Sequence, residues 1–178
     1  MAAIPVKQAD IHEGCLLLAV AVANRLPGEN EALQALQELQ RSPTPLAVQS
    51  CKALLEQLCT CKSHPTEQLQ VAMCRLAASS MQQARNAAEA LGLAVRVTHI
   101  VDAERCTSAL QLVLNSCCQR LQAVCGHDSS DTASLSPREQ ASLQWLVAST
   151  WNTGRKLTEE GHPGEGKALL PLAIDLLH

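Results

Sequence analysis

Apolar residues along the chain return every three or four positions, the period that places them on one side of an α-helix, and polar or Gly/Pro-containing breaks cut this pattern into segments. Ile11, Cys15, Leu18 and Val22 make the first stripe, Leu26, Pro27, Gly28 and Glu29 a turn, and Ala32, Leu36 and Leu39 a second stripe. The spacing predicts a helical hairpin. After Arg41, Ser42 and Pro43 a new helix is expected, with Thr44 as N-cap, Pro45 in the first helical position and an inner face of Val48, Cys51, Leu55 and Leu58. A break at Lys62, Ser63, His64 and Pro65 precedes one long helical pattern reaching Leu91, where Gly92 is placed to take the left-handed conformation of a helix end. This reads as a second hairpin with an overlong second arm.

Leu93 to Val101 is ambiguous, because Val95, Val97, His99 and Val101 alternate as in a strand. No second strand-like run exists to pair with it, so the segment is read as helix or loop. Helical spacing resumes in Cys106, Ala109, Leu110, Val113, Cys117 and Leu121, and the polar stretch that follows is expected to be a flexible loop over 126–136. The last long helix has a clear start: Ser136, Pro137, Arg138 and Glu139 form a capping box with proline in the first turn. Its inner face is expected to carry Leu143, Val147, Trp151 and Leu157.

Composition narrows the class. The chain has no Phe, no Tyr and two Trp, and it is rich in Ala, Leu and Gln, so sheet-favouring residues are scarce and an all-α fold is expected. The formal net charge of −3, with both signs mixed along the chain, offers no basic face for a phosphate backbone and argues against direct nucleic-acid binding. The longest apolar run, Cys15 to Ala23, is under half of the roughly 20 residues a membrane helix needs, and the N-terminus does not read as a secretory signal. A soluble protein that stays inside the cell is expected, without membrane partners. Nine cysteines are an odd number, mostly in apolar helical settings such as Cys15, Cys51 and Cys74, and read as reduced, buried thiols.

From Trp151 onward, Gly154, Leu157, a turn at Gly161, then Gly166, Leu170 and Ala173 alternate small and large residues. Small residues let two antiparallel helices approach closely and large ones fill the space beside them. This resembles a tetratricopeptide (TPR) repeat. The likeness is strong for 151–177, fair for 11–40, where Val20 stands in place of the usual glycine, and poor between. The expectation is a short α-solenoid of stacked antiparallel hairpins: degenerate TPR-like repeats over 1–125, the loop, and a TPR-like hairpin over 137–178.

A narrower resemblance lies in Trp145, Leu146, Val147, Ala148, Ser149, Thr150, Trp151, Asn152, Thr153 and Gly154, followed by Gly161 and the helix from Ala168 to Leu177. The segment is similar to that around the Trp-Asn pair of the meiotic Zip-four and Spo-twenty-two family, which includes a testis-expressed TPR protein. That resemblance implies a nuclear, chromosome-associated scaffold, one that joins axis and crossover-promoting proteins during synapsis, with no catalysis. The chain has room for only about five hairpins and ends on an apolar helix at Leu176, Leu177 and His178, so a fragment of a longer solenoid or a truncated gene model is the expectation.

Chemical readings are weaker. Cys59, Cys61 and His64 lie close together but lack the second ligand pair of a structural zinc site, Cys125 and His127 fare no better, and adjacent Cys117 and Cys118 point to different faces of a helix. No phosphate-cradling glycine loop or zinc-protease motif occurs, so no enzyme, no metal and no cofactor are expected. Trp145 and Trp151, six apart, face different ways, with Trp151 read as core and Trp145 as partly exposed. Arg155, Lys156, Glu159 and Glu160 read first as a solvated helix face. The candidate partner-binding residues are Asn152, Arg155, Lys156 and Trp145. An adaptor that binds peptide tails, as co-chaperone TPR modules do, is the alternative, with a cytoplasmic location; a thiol or metal enzyme is the third reading.

Overall fold

A computed structural model describes residues 29–41, 45–59, 65–125 and 135–177, the side chains of 29–31, 58 and 59 excepted. All regular structure in them is helical: α1 (Glu29–Arg41), α2 (Val48–Cys59), α3 (Glu67–Met81), α4 (Ala87–Ile100), α5 (Thr107–Cys125), α6 (Pro137–Glu159) and α7 (Pro163–Asp175). The ambiguous stretch around Val95 and Val97 is thus helix. The first expected stripe, Ile11 to Val22, Thr44, and the loop over 126–134 lie outside the described residues.

Each helix packs chiefly on those one or two places away in the chain. α1 meets α3, α3 meets α5 and α5 meets α7, while α2 meets α4 and α4 meets α6; the neighbours α2 and α3, α3 and α4, α4 and α5, and α6 and α7 also touch. Odd helices follow one another in one row and even helices in a second, a pattern consistent with a stacked helical arrangement.

The core between the rows is built without aromatic rings. Leu36, Leu54, Leu55, Met73, Leu76, Met81, Leu91, Leu93, Leu110 and Leu114 are its large members, with Ala77, Ala84, Ala90 and Ala94 fully buried among them. Small alanines keep α3 and α4 close, and leucine and methionine fill the remaining space.

Two helix boundaries depart from the sequence reading. α2 begins at Val48 and not at Pro45, because the first helical hydrogen bond runs from the Cys51 N–H to the Ala47 carbonyl, while Leu46 is buried before the helix starts. The long arm to Leu91 is two helices. α3 stops at Met81, and α4 starts after Asn86, whose side chain accepts the Glu89 N–H at 3.0 Å while the Glu89 carboxylate accepts the Arg85 N–H at 2.8 Å. This reciprocal cap resembles a capping box. The break is hidden in the sequence because Met81, Ala84 and Ala87 are all buried three residues apart, so the turn preserves the helical phase of the apolar positions. Gly92 consequently sits inside α4 and terminates nothing.

Gln70, buried on α3, fastens the segment between α4 and α5. Its amide oxygen accepts the Asp102 N–H at 2.7 Å and faces the Cys106 thiol at 3.6 Å, and its amide nitrogen donates to the Pro65 carbonyl. A buried side chain with its polar atoms engaged in this way holds a turn that apolar contact alone would not orient.

The α6–α7 pair follows the expected glycine logic. Ser136 and Glu139 form the capping box, and α6 ends at Gly161, which has φ 95° and lets the His162 N–H reach the Leu157 carbonyl at 2.8 Å. The chain then turns into α7 through Pro163. At the crossing, a Cβ on Gly154 would lie 3.1 Å from the Gly166 carbonyl oxygen and from Leu170, and a Cβ on Gly166 would lie 2.4 Å from the Gly154 carbonyl oxygen. The two backbones approach as only glycine permits.

That crossing also corrects the inner face of α6. Leu146, Thr150, Gly154 and Leu157 are buried, Leu143 and Val147 are half-buried, and Trp151 is 45% exposed. Turning Gly154 onto α7 selects the ridge through Leu146 and Thr150 and rotates Trp151 away from the core.

Candidate functional site

An open groove of about 1030 Å³ runs across the even row, lined by α2, α4 and the first turns of α6. Its position follows from the caps. Asn86 starts α4 and Ser136 starts α6, so both helix N-termini open at one side of the groove.

The floor is the exposed side of α4. Val95 and Ile100 give it half-buried apolar surface, and Gly92 leaves it without a side chain at its middle. Lys52 of α2 occupies the space above: its Nζ would be 3.3 Å from a Cβ on Gly92.

Charges in the groove divide into committed and free. Glu89 caps the start of α4. Glu139 accepts hydrogen bonds from the Ser136 hydroxyl at 2.5 Å and the Ser136 N–H at 2.7 Å, and these hold its carboxyl below the usual range, with a smaller contribution from the Ala88 N–H. Arg96 pairs with Glu56 at 2.5 Å. Lys52 and Arg138 make no ion pair among the described residues. At the far end, His99 stacks on Trp145 with ring centroids 4.2 Å apart and planes inclined by 29°, joining α4 to α6.

The residues expected from sequence to bind a partner lie elsewhere. Asn152 is exposed on α6, Arg155 pairs with Glu159 at 3.5 Å, and Lys156 is shared by Glu104 and Glu160. Lys156 ties α6 to the turn before α5, and its hydrogen bond with Glu104 is the main reason its pKa is raised. None of the three lines the groove; Trp145 reaches it only through His99. Lys52, Arg96 and Arg138 escaped the sequence reading. No local signal marks them: each reads in sequence as an ordinary solvated cation, and Arg138 was noted only within the capping box.

Cys51, Cys74, Cys106, Cys117 and Cys118 are free and buried, and Cys125 is free and half-buried. Burial is the largest cause of the upward shift at the five buried thiols, to about 11 for Cys51 and Cys118 and about 12 for Cys74. The described residues contain no group of three or more His, Cys, Asp or Glu able to hold a metal ion, and no helix among them is long and apolar enough to cross a membrane. The side chains of Cys59, Cys61, His64 and His127, weighed in the sequence and set aside as metal ligands, lie outside the described residues.

No family model, curated protein or solved structure matches this chain.

Proposed function

We propose that the protein is a non-catalytic interaction scaffold of TPR type that holds a segment of another protein in the groove across α2, α4 and α6. The observation that carries this reading is the groove itself: three successive helices of one row present a mixed polar and apolar trough, with Lys52 and Arg138 unpaired among the described residues. Recognition on a row of stacked helices leaves the packed positions to the fold and the variable ones to the partner. High thiol pKa values and the commitment of Glu89 and Glu139 to helix caps also favour holding over chemistry.

The meiotic setting rests on the resemblance at 145–154 and places the scaffold on chromosomes during synapsis. Engagement of Arg155 and Lys156 in ion pairs within the chain argues against those residues clamping a peptide tail.

A photo-crosslinking side chain at exposed Gln49, on the groove, tests the holding role against the same probe at exposed Gln119 of α5, away from it. In meiotic-cell nuclei a discrete adduct is expected from Gln49 and none from Gln119; equal adducts from both, or none, refute the groove. A tagged chain should concentrate on meiotic chromosomes, and uniform cytosolic signal would refute that setting.

A further inference from the structure

We infer that the occupant of the α2–α4–α6 groove is an acidic peptide segment, bound by carboxylates at Lys52 and Arg138 with its apolar side chains on Val95 and Ile100. This rests on the proposal that the groove holds a protein partner. It adds the partner's chemistry.

Charge complementarity carries the inference. Among the described residues, five formally charged ones line the groove: Lys52, Arg96 and Arg138, against Glu89 and Glu139. Both carboxylates are spent on backbone N–H groups at the starts of α4 and α6, where the positive ends of the helix dipoles further offset them. Arg96 is paired with Glu56. The charge left to meet a partner is therefore that of Lys52 and Arg138, one on each wall. Unpaired cations on two sides of the groove are complementary to the carboxylates of an incoming segment and set its register.

The helix that forms the floor supports the same reading. Glycine in a helix interior costs about 1 kcal/mol relative to alanine, yet Gly92 occupies the middle of α4. A Cβ there would come within 3.3 Å of the Lys52 Nζ, so the bare backbone leaves that side chain room in the groove.

A nucleic acid fits this surface less well. A phosphate backbone requires closely spaced cations along its length, and here only Lys52 and Arg138 lack an ion pair among the described lining residues and part of the floor is apolar. A peptide with spaced carboxylates and intervening apolar residues matches the trough.

The test uses the full chain and four fluorescein-labelled probes of equal length: a Glu/Asp/Leu/Ser peptide, a Lys/Leu/Ser peptide, a neutral Leu/Ser peptide and a single-stranded RNA. Fluorescence anisotropy should show saturable binding of the acidic probe alone, and the double variant K52E/R138E should weaken it by about tenfold or more, the size expected when two partly exposed ion pairs become repulsions. K167E, which alters an exposed charge of α7 away from the groove, should leave binding unchanged. Circular dichroism of each variant shows whether the fold is kept; if K52E/R138E unfolds, K52Q and R138Q singly must each still weaken the acidic probe.

Preferential binding of the basic or neutral peptide, with the same groove dependence, overturns the acidic assignment and leaves the scaffold reading standing. Binding of the RNA in place of the peptide overturns the protein-partner premise as well. Acidic-peptide binding that the groove variants do not reduce, or no binding of any probe, also overturns the inference, while the Gln49 adduct remains the separate measure of the scaffold.

Discussion

Replacing Gly166 with alanine tests the central contact of the α6–α7 pair. The new Cβ would meet the Gly154 carbonyl oxygen at 2.4 Å and the Thr158 hydroxyl at 2.1 Å. Thr158 can rotate only by giving up its hydrogen bond to that same Gly154 carbonyl, and the carbonyl belongs to helix backbone and cannot move alone. The helices must separate by about 1 Å, a strain at the upper end of the ~1–3 kcal/mol that overpacking costs. Alanine regains up to ~1 kcal/mol of helix propensity, so a net loss of about 2 kcal/mol is expected. For a chain of this length that lowers Tm by roughly 4–8 °C. Gly164, two residues earlier in the same helix, has nothing within 4 Å of its would-be Cβ, so Gly164→Ala should be neutral or slightly stabilising. Urea unfolding followed by circular dichroism separates the two. A Gly166→Ala protein as stable as Gly164→Ala would refute the close crossing of α6 and α7.

Four further outcomes are expected. Gly92→Ala should stabilise α4 by about 1 kcal/mol, because the new Cβ meets only the mobile end of Lys52, and a drop in Tm would show that the ammonium is fixed in place. Ser136→Ala should cost about 1 kcal/mol at neutral pH by removing the α6 cap. Because Glu139 has a lowered pKa in the folded protein, its contribution is complete above the ordinary carboxylate value of 4.5 and disappears as pH falls through the folded value; the stability gap between wild type and Glu139→Gln should narrow over that acid limb, and a gap that widens there contradicts the cap. In timed iodoacetamide labelling near pH 8, read by mass spectrometry, Cys125 should react well before Cys51, Cys74, Cys117 and Cys118; equal rates would mean that the core opens easily.

Sequence pattern conveyed the helical class and much of the core because burial imposes a period on apolar positions: Ala32, Leu36, Leu39, Cys51, Leu55, Val113 and Cys117 were all expected inside and are buried. The cap of α6 was legible for the same local reason, since Ser136 and Glu139 act on backbone only three residues apart. The split between α3 and α4 was not, because Met81, Ala84 and Ala87 keep the helical phase through the turn. Trp151 was misplaced because residue size suggests burial, whereas the rotation of α6 is set by Gly154 against Gly166, a contact between helices. The groove was invisible for a similar reason. Lys52, Gly92 and Arg138 are far apart in the chain, and nothing local distinguishes Lys52 or Arg138 from an ordinary solvated cation.

Trp145 and Trp151 are the protein's only aromatic rings apart from histidine, and both sit on α6. Ultraviolet-excited emission therefore comes from a single helix, undiluted by tyrosine. With Trp145 stacked on His99 of α4, its intensity and lifetime become an unlabelled gauge of how firmly α6 is seated on the floor of the trough, while Trp151, partly exposed on another side of the same helix, supplies an internal reference.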